Sequence, residues 1–421
     1  MTKQVPTTAV LHYSAPPTVG GVESVINAHA RTFLQEGYPI HVIAGSGKAD
    51  ALPQGCEFWR LALLDSQNQE ILHINRELEK GTVPDVYYQV RERIMTALEQ
   101  KLCGFDNVIV HNIFTKHFNL PLTDALHRLL DEGKIHHCIA WCHDFSWSSP
   151  HSRVLLHDGK PWDLLRQYRK DISYVTVSEQ RQQTLADLFG VPKQTIQVIY
   201  NGIDPQELLG SSAEGECLAR KLGLDSADLI MLMPVRITRA KNIEFALQVT
   251  ARLCAAGCNV RVLLSGPPDP HDSENMAYFK ELKALRASLG VTENFRFLYD
   301  ENPHSSKAYI LDMEMIGELY RMCDLVFMPS HREGFGMPVL EAGFSGKPVF
   351  ATAIPAAQEI RGEFIHAIDI ESAAERTAEQ ILDWATRDAT HQLRAITRQQ
   401  YTWQTIFRNN IQPLLAFRDE Q

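Results

Sequence analysis

Short apolar runs alternate with helix-length amphipathic stretches from residue 7 to past residue 350. The runs 7–13, 40–44, 108–111, 138–141, 174–177 and 197–200 form one series. The runs 229–235, 260–265, 295–299, 325–329 and 348–351 form a second. Continuous apolar runs of this length predict parallel strands covered on both faces, and stretches such as 242–256 and 276–289 predict the covering helices. The pattern is that of a doubly wound α/β protein. One break interrupts it. Between Asp204 and Ala227 the chain turns rich in Gly, Ser and Glu, then restarts with a strongly apolar strand. A domain boundary is expected there, giving domains over 1–205 and 206–402. Open α/β sheets bind ligands at the carboxyl ends of their strands, so two such halves are expected to face a common cleft.

Composition narrows the class. With 421 residues, 44% hydrophobic and 22% charged, the chain can bury more than one core. Lys and Arg total 41 against 51 Asp and Glu, a formal charge of −10, which argues against a dedicated nucleic-acid binder. No apolar run approaches the roughly 18 residues of a spanning helix, and the N-terminal segment reads as a first strand rather than a leader. The eight cysteines form no C-x-x-C pair, and most sit in apolar surroundings. They are expected to be buried free thiols, which places the protein in the reducing cytoplasm.

The densest chemical signal is His331-Arg332-Glu333-Gly334-Phe335-Gly336-Met337-Pro338, followed by Glu341. A strand ends just before it, and Pro338 stands where a helix would begin. Gly334 and Gly336 let backbone approach a ligand, and amides at the helix start suit an anion. Glu333 in the loop and Glu341 in the first helical turns can enter one pocket, about 10 Å apart or less. Carboxylates accept hydrogen bonds from vicinal hydroxyls, so the pair suits a sugar and a ribose joined by phosphates. The plain alternative is a helix-dipole partner and a solvated loop charge.

Three further segments lie at strand ends. Arg236 and Lys241 follow the strand 229–235, with Asn242 as a candidate helix cap, and the two cations can grip a diphosphate. Two unrelated surface charges are the simpler reading of that pair alone. Gly20 and Gly21 precede a helix over 24–35, in a loop able to lie against phosphate or sugar, although a structural turn would look the same. It is not the G-x-G-x-x-G dinucleotide fingerprint. His143 and Asp144 follow the strand 138–141, where an imidazole can meet a substrate hydroxyl or a phosphate. His136 and His137 precede that strand and read as structural. The polar stretch Asp269-Pro270-His271-Asp272 has metal-ligand residue types, but caps and turns use the same ones.

Together these residues resemble the family 4 glycosyltransferases, retaining enzymes of the GT-B fold with two Rossmann-like doubly wound domains facing a central cleft. The resemblance runs over nearly the whole chain. It takes in Gly20-Gly21, His143, Asn201-Gly202-Ile203-Asp204, Arg236, Lys241, Gly266 and the E-x7-E element Glu333 to Glu341. It implies that Arg236 and Lys241 hold a donor diphosphate and that Glu341 holds the ribose. Glu333 would contact the transferred sugar, amid backbone amides of Gly334, Phe335, Gly336 and Met337. Gly20 and Gly21 would close over the phosphates, Gly266 would join the donor site, and His143 would face the reacting sugar. It also implies a final helix, about 403–421, crossing back to the first domain, and a reaction needing no metal or cofactor. Val235 departs from the pattern, since the family often has Gly there.

The implied substrates are a nucleotide-diphosphate sugar, carrying glucose or mannose, and a small hydroxylated acceptor. Residues 1–205 carry 19 Lys and Arg against 22 Asp and Glu with no polybasic cluster, so membrane docking is not expected. The segments starting at His111-Asn112 and spanning 147–153 are candidate acceptor walls, with core packing as the plain alternative. A lipid or polysaccharide-precursor acceptor, a GT-B epimerase or phosphorylase, and a catalytically silent nucleotide-sugar binder remain open alternatives. The sequence leaves the nucleotide base, the linkage and the oligomeric state undetermined.

Overall fold

The computed structural model describes residues 5–268, 275–353, 359 and 362–416. The chain forms two compact units, one built from residues up to Gly202 and again from Trp403 onward, the other spanning Ile203–Thr402. The stretch around 210–216 therefore belongs wholly to the second unit. Its polar residues form helix starts: Asp204 caps Pro205–Leu209, and the Ser212 hydroxyl accepts the Gly215 amide at the head of Ala213–Lys221.

The first unit holds a seven-stranded sheet in the order β3 (Glu57–Arg60), β2 (Ile40–Ser46), β1 (Thr8–Ser14), β4 (Asn107–His111), β5 (Cys138–Cys142), β6 (Ile172–Thr176) and β7 (Gln197–Val198). The pairings are parallel, with Thr8 opposite both Ile40 and Asn107. β4 and β5 are buried along their whole length, as continuous apolar runs require. Helices Gly21–Gln35, Asp85–Leu102 and Leu120–Asp131 cover the faces. The last described segment returns to this unit: Trp403–Ile406, one turn of π-helix over Phe407–Ile411, and Gln412–Leu415. Trp403 packs on His29, Phe407 packs on Phe33, and Arg408 pairs with Glu36 at 2.7 Å.

The second unit holds six parallel strands in the order β10 (Phe295–Phe297), β9 (Val260–Leu264), β8 (Leu229–Met233), β11 (Leu325–Met328), β12 (Val349–Thr352) and β13 (His366–Ile368). Two arginines of the helix Ala389–Gln400 clamp buried Asp324 at the start of β11, Arg398 at 3.0 Å and Arg394 at 3.1 Å. Among the described residues, no helix is long and apolar enough to cross a membrane.

Several expectations need correction. β3 and β13 escape the apolar-run criterion because they are half-exposed edge strands. Only Cys138, Cys142 and Cys323 of the eight thiols are buried, and Cys103 is exposed. Asn242 occupies the cap position of the helix Ile243–Ala255, but in the left-handed region at φ 50° and with no side-chain capping bond. The stretch Asp269 to Asp272 lies outside the described residues.

Candidate active site

In the second unit, two loops at the carboxyl ends of strands are stitched together. After β8 the chain passes through Val235, Arg236 and a single 3₁₀ turn over Arg239–Lys241. After β11 it passes through Ser330 to the helix Met337–Phe344. The His331 amide donates to the Ala240 carbonyl at 2.9 Å, and Lys241 Nζ lies 2.6 Å from Glu333 Oε2. The Ser330 hydroxyl donates to the other Glu333 oxygen at 2.7 Å. Thr352 on β12 donates to the Ser330 carbonyl at 2.6 Å, which anchors the loop to the sheet. Both oxygens of Glu333 are thus engaged, and its side chain is 8% exposed against 18% for Lys241. An ion pair this enclosed costs several kcal/mol if one partner is removed.

Gly336 adopts φ 87° immediately before the helix Met337–Phe344, with Pro338 in the first turn and no side chain capping the amides. Those uncapped amides and the helix dipole favour an anion. Phe335 and Met337 are about half exposed, and a Cβ on Gly334 would meet nothing within 4 Å. Further along the helix, the Tyr320 hydroxyl donates to Glu341 Oε2 at 2.6 Å. Burial and that carboxylate raise the Tyr320 pKa, so the phenol keeps its proton.

Arg236 is exposed on its loop. Arg239 is engaged elsewhere, 3.0 Å from Glu281 and stacked over the Tyr278 ring. Gly266, expected to touch a donor, has a definite packing duty. Its amide donates to the Val235 carbonyl at 3.1 Å, and a Cβ there would stand 2.3 Å from that oxygen and 2.7 Å from Arg236 Cα. Only glycine lets the loop after β9 meet the loop after β8. Val235 itself turns into the hydrophobic core.

In the first unit, Gly20 is extended and precedes the helix Gly21–Gln35. A Cβ on Gly20 would strike Glu23 Oε2 at 2.2 Å, whereas one on Gly21 would meet nothing within 4 Å. Glu23 is buried, accepts the Ser14 hydroxyl and lies 3.9 Å from His12 Nε2. No role was expected for it, because an acidic residue in a first helical turn ordinarily reads as a dipole partner. Ser330 and Tyr320 were missed for a similar reason: single hydroxyls carry no pattern.

His143 follows β5 and is nearly buried. Its amide and that of Asp144 both donate to Asn112 Oδ1, at 2.7 and 3.2 Å. Asn112 reaches them from the left-handed region, φ 60°. His143 Nε2 lies 3.1 Å from His111 Nδ1, and the two rings stack with centroids 5.4 Å apart. His111 and Asn112, the expected acceptor wall, lie at the end of β4 beside this loop. His111 is fully buried and Asn112 nearly so, and both support the His143 loop from behind. Asp144 is bound by Arg181 at 2.9 Å. Trp147 is buried too, its indole donating to the Trp162 carbonyl. Burial chiefly, with His12 adding to it, pushes the His143 pKa down to about 4, so the ring is neutral at pH 7.

Residues 19–207 match the family description Glycosyltransferase Family 4, and residues 216–400 match Glycosyl transferases group 1. The chain belongs to the family 4 glycosyltransferases. This family 4 chain is 24% identical over 365 residues to mannosylglucosylglycerate synthase of Petrotoga mobilis, covering 79% of this chain and 77% of that protein. It is 28% identical over 186 residues to D-inositol 3-phosphate glycosyltransferase of Stackebrandtia nassauensis, covering 43% and 38%. An uncharacterized glycosyltransferase of Methanocaldococcus jannaschii is 25% identical over 245 residues, covering 56% and 58%. The alignments with these last two relatives take in less than two thirds of their length. Among solved structures, WaaG, a glycosyltransferase involved in lipopolysaccharide biosynthesis, is 16% identical and covers 94% of both chains with a TM-score of 0.33. Sucrose-phosphate synthase from Thermosynechococcus elongatus is 15% identical, covering 97% and 98%, with a TM-score of 0.35. The two doubly wound parallel sheets are those of a GT-B glycosyltransferase.

Proposed function

We propose that this chain is a retaining hexosyltransferase that moves glucose or mannose from a nucleotide-diphosphate sugar to a hydroxyl of a small acceptor. The observation that carries this reading is the Lys241–Glu333 ion pair, set beside an uncapped helix start in the loop that leads to Glu341. A cation, bare amides and hydroxyl-binding carboxylates in one stretch match the parts of a sugar nucleotide: diphosphate, hexose and ribose.

In this reading Arg236 and Lys241 neutralise the leaving diphosphate, and no metal or cofactor takes part. The bond from the anomeric carbon to the phosphate oxygen breaks as the acceptor oxygen attacks from the same face. The leaving phosphate oxygen takes the acceptor proton. Glu333 holds hydroxyls of the hexose, Glu341 those of the ribose, and Gly20 and Gly21 leave room for the phosphates. Neutral His143 accepts from or donates to a sugar hydroxyl without adding charge. The names of two relatives, an inositol-phosphate glycosyltransferase and a mannosylglucosylglycerate synthase, support a small hydroxylated acceptor.

The test is acceptor-dependent nucleotide release from UDP-, GDP- and ADP-linked glucose and mannose, with EDTA present. Proton NMR of the product then reads the anomeric configuration. Release that needs an acceptor and gives the donor's own anomer supports the reading. Inverted product, acceptor-free isomerisation, or nucleotide binding without turnover across a broad panel would each replace it.

A further inference from the structure

The first unit contains a cavity of about 250 Å³ that plays no part in the site described above. Drug-sized ligands occupy roughly 300–1,000 Å³, so this space holds one ring and is too small for a nucleotide sugar. Leu156, Trp162 and Phe118 supply an apolar lining, and Arg76, Glu79 and His117 supply polar heads. Asn75 donates to the Phe118 carbonyl at 2.9 Å, fixing that wall to the helix Gln69–Leu78. Among the described residues neither Arg76 nor Glu79 forms an ion pair, so both heads remain available.

His117 connects this cavity to the His143 loop. The Ser146 hydroxyl oxygen accepts the His117 amide at 3.1 Å and lies 2.7 Å from His117 Nδ1. Ser146 thus engages Nδ1, which leaves Nε2 as the ring nitrogen of His117 open to a ligand. The Ser146 amide donates to Thr115 at 2.8 Å, and Thr115 donates to the Asp144 carbonyl at 2.8 Å. The wall of the cavity and the loop that carries His143 are therefore one bonded unit. Burial and neighbouring Lys116 push the His117 pKa down to about 4. The lining then carries one guanidinium, one carboxylate and a neutral imidazole, with no net charge.

We propose that this cavity binds an uncharged polyhydroxylated six-membered ring, a sugar or cyclitol, as part of the acceptor. A guanidinium and a carboxylate one helical turn apart can donate to and accept from neighbouring hydroxyls, while the apolar wall meets the C–H face of the ring. A phosphate ester in the same place would meet Glu79 as well as Arg76, so the pair gives its charge no net gain. The word acceptor rests on the transferase reading; ring binding does not.

The experiment is isothermal titration of the full chain, with no donor present, using glucose, mannose, myo-inositol and glucose 6-phosphate. At least one neutral ring is expected to bind with a Kd of about 1 mM or tighter, and glucose 6-phosphate no more tightly than glucose. Arg76→Gln and Glu79→Gln are each expected to weaken that binding about tenfold, with melting temperature and nucleotide-diphosphate affinity unchanged. Absence of neutral-ring binding, tighter binding of the phosphate ester, displacement of the ring by UDP, or indifference to both substitutions would each overturn the proposal. Acceptor-dependent nucleotide release is measured separately, so the cavity can fail while transfer stands, or the reverse.

Discussion

His111 Nδ1 lies 3.1 Å from His143 Nε2 with both rings buried, and burial holds both imidazoles neutral at pH 7. One ring must donate to the other, so the tautomers of His111 and His143 are linked. In the proposed reaction His111 is a positioning residue for His143. His111→Asn is expected to lower kcat about tenfold while the donor KM stays within about twofold. A purely structural defect would instead lower the melting temperature and leave the kcat of the remaining folded enzyme intact. Stopped assays normalised to folded protein separate the two outcomes.

The Lys241–Glu333 pair predicts coupled losses. Lys241→Ala and Glu333→Gln are each expected to lower turnover by about tenfold or more, a barrier increase of roughly 1.4 kcal/mol at least. Because the two side chains touch, the double variant is expected to lose much less than the product of the single losses. Full multiplicative losses, or full activity in both single variants, would show that the pair does not act as a unit.

Two glycines are expected to behave in opposite ways. Gly266→Ala forces a methyl against the Val235 carbonyl, a backbone atom that cannot swing aside, and is expected to cost about 1–3 kcal/mol of stability. Gly21→Ala meets nothing within 4 Å and is expected to leave the melting temperature unchanged while weakening donor use. Thermal melts of the two purified variants, beside donor KM values, check both halves.

Buried histidines predict an acid-side loss of stability. Burial lowers the pKa of His143, His117 and His127 to about 4 and of His29 to about 3, all below the ordinary value of 6.5. The unfolded chain therefore binds more protons as pH falls below about 6.5, and stability declines until the folded pKa values are reached. A tenfold difference in proton affinity between folded and unfolded chain is worth about 1.4 kcal/mol at most, so several such groups give a marked fall between about pH 6.5 and 4. Calorimetry from about pH 8 to 4.5 is expected to show a flat melting temperature above about pH 7 and a steep drop below it. His29→Phe should flatten the drop in part.

Much of this fold is visible in the order of residues because strands buried on both faces are mainly apolar. The runs at β4, β5 and β8 are too short for a buried helix, and their length marks them as strands. β3 is not marked in this way, because Glu57 and Arg60 at its ends are exposed and the edge of a sheet tolerates charge. Glu333, Glu341 and Lys241 are legible as charges at strand ends, and the structure joins two of them directly. The duty of His111 is not legible, since its partner is 32 residues away and only the sheet brings them together. The same is true of Gly266, whose need for glycine arises from a carbonyl 31 residues earlier.

Trp403 and Phe407 complete the core of the first unit by packing on His29 and Phe33. During synthesis, then, a ribosome has released some two hundred residues of that unit before the aromatic plug for its back face exists. The residues that close the first unit are thus made only after all of the second, which ties completion of one unit to synthesis of the other.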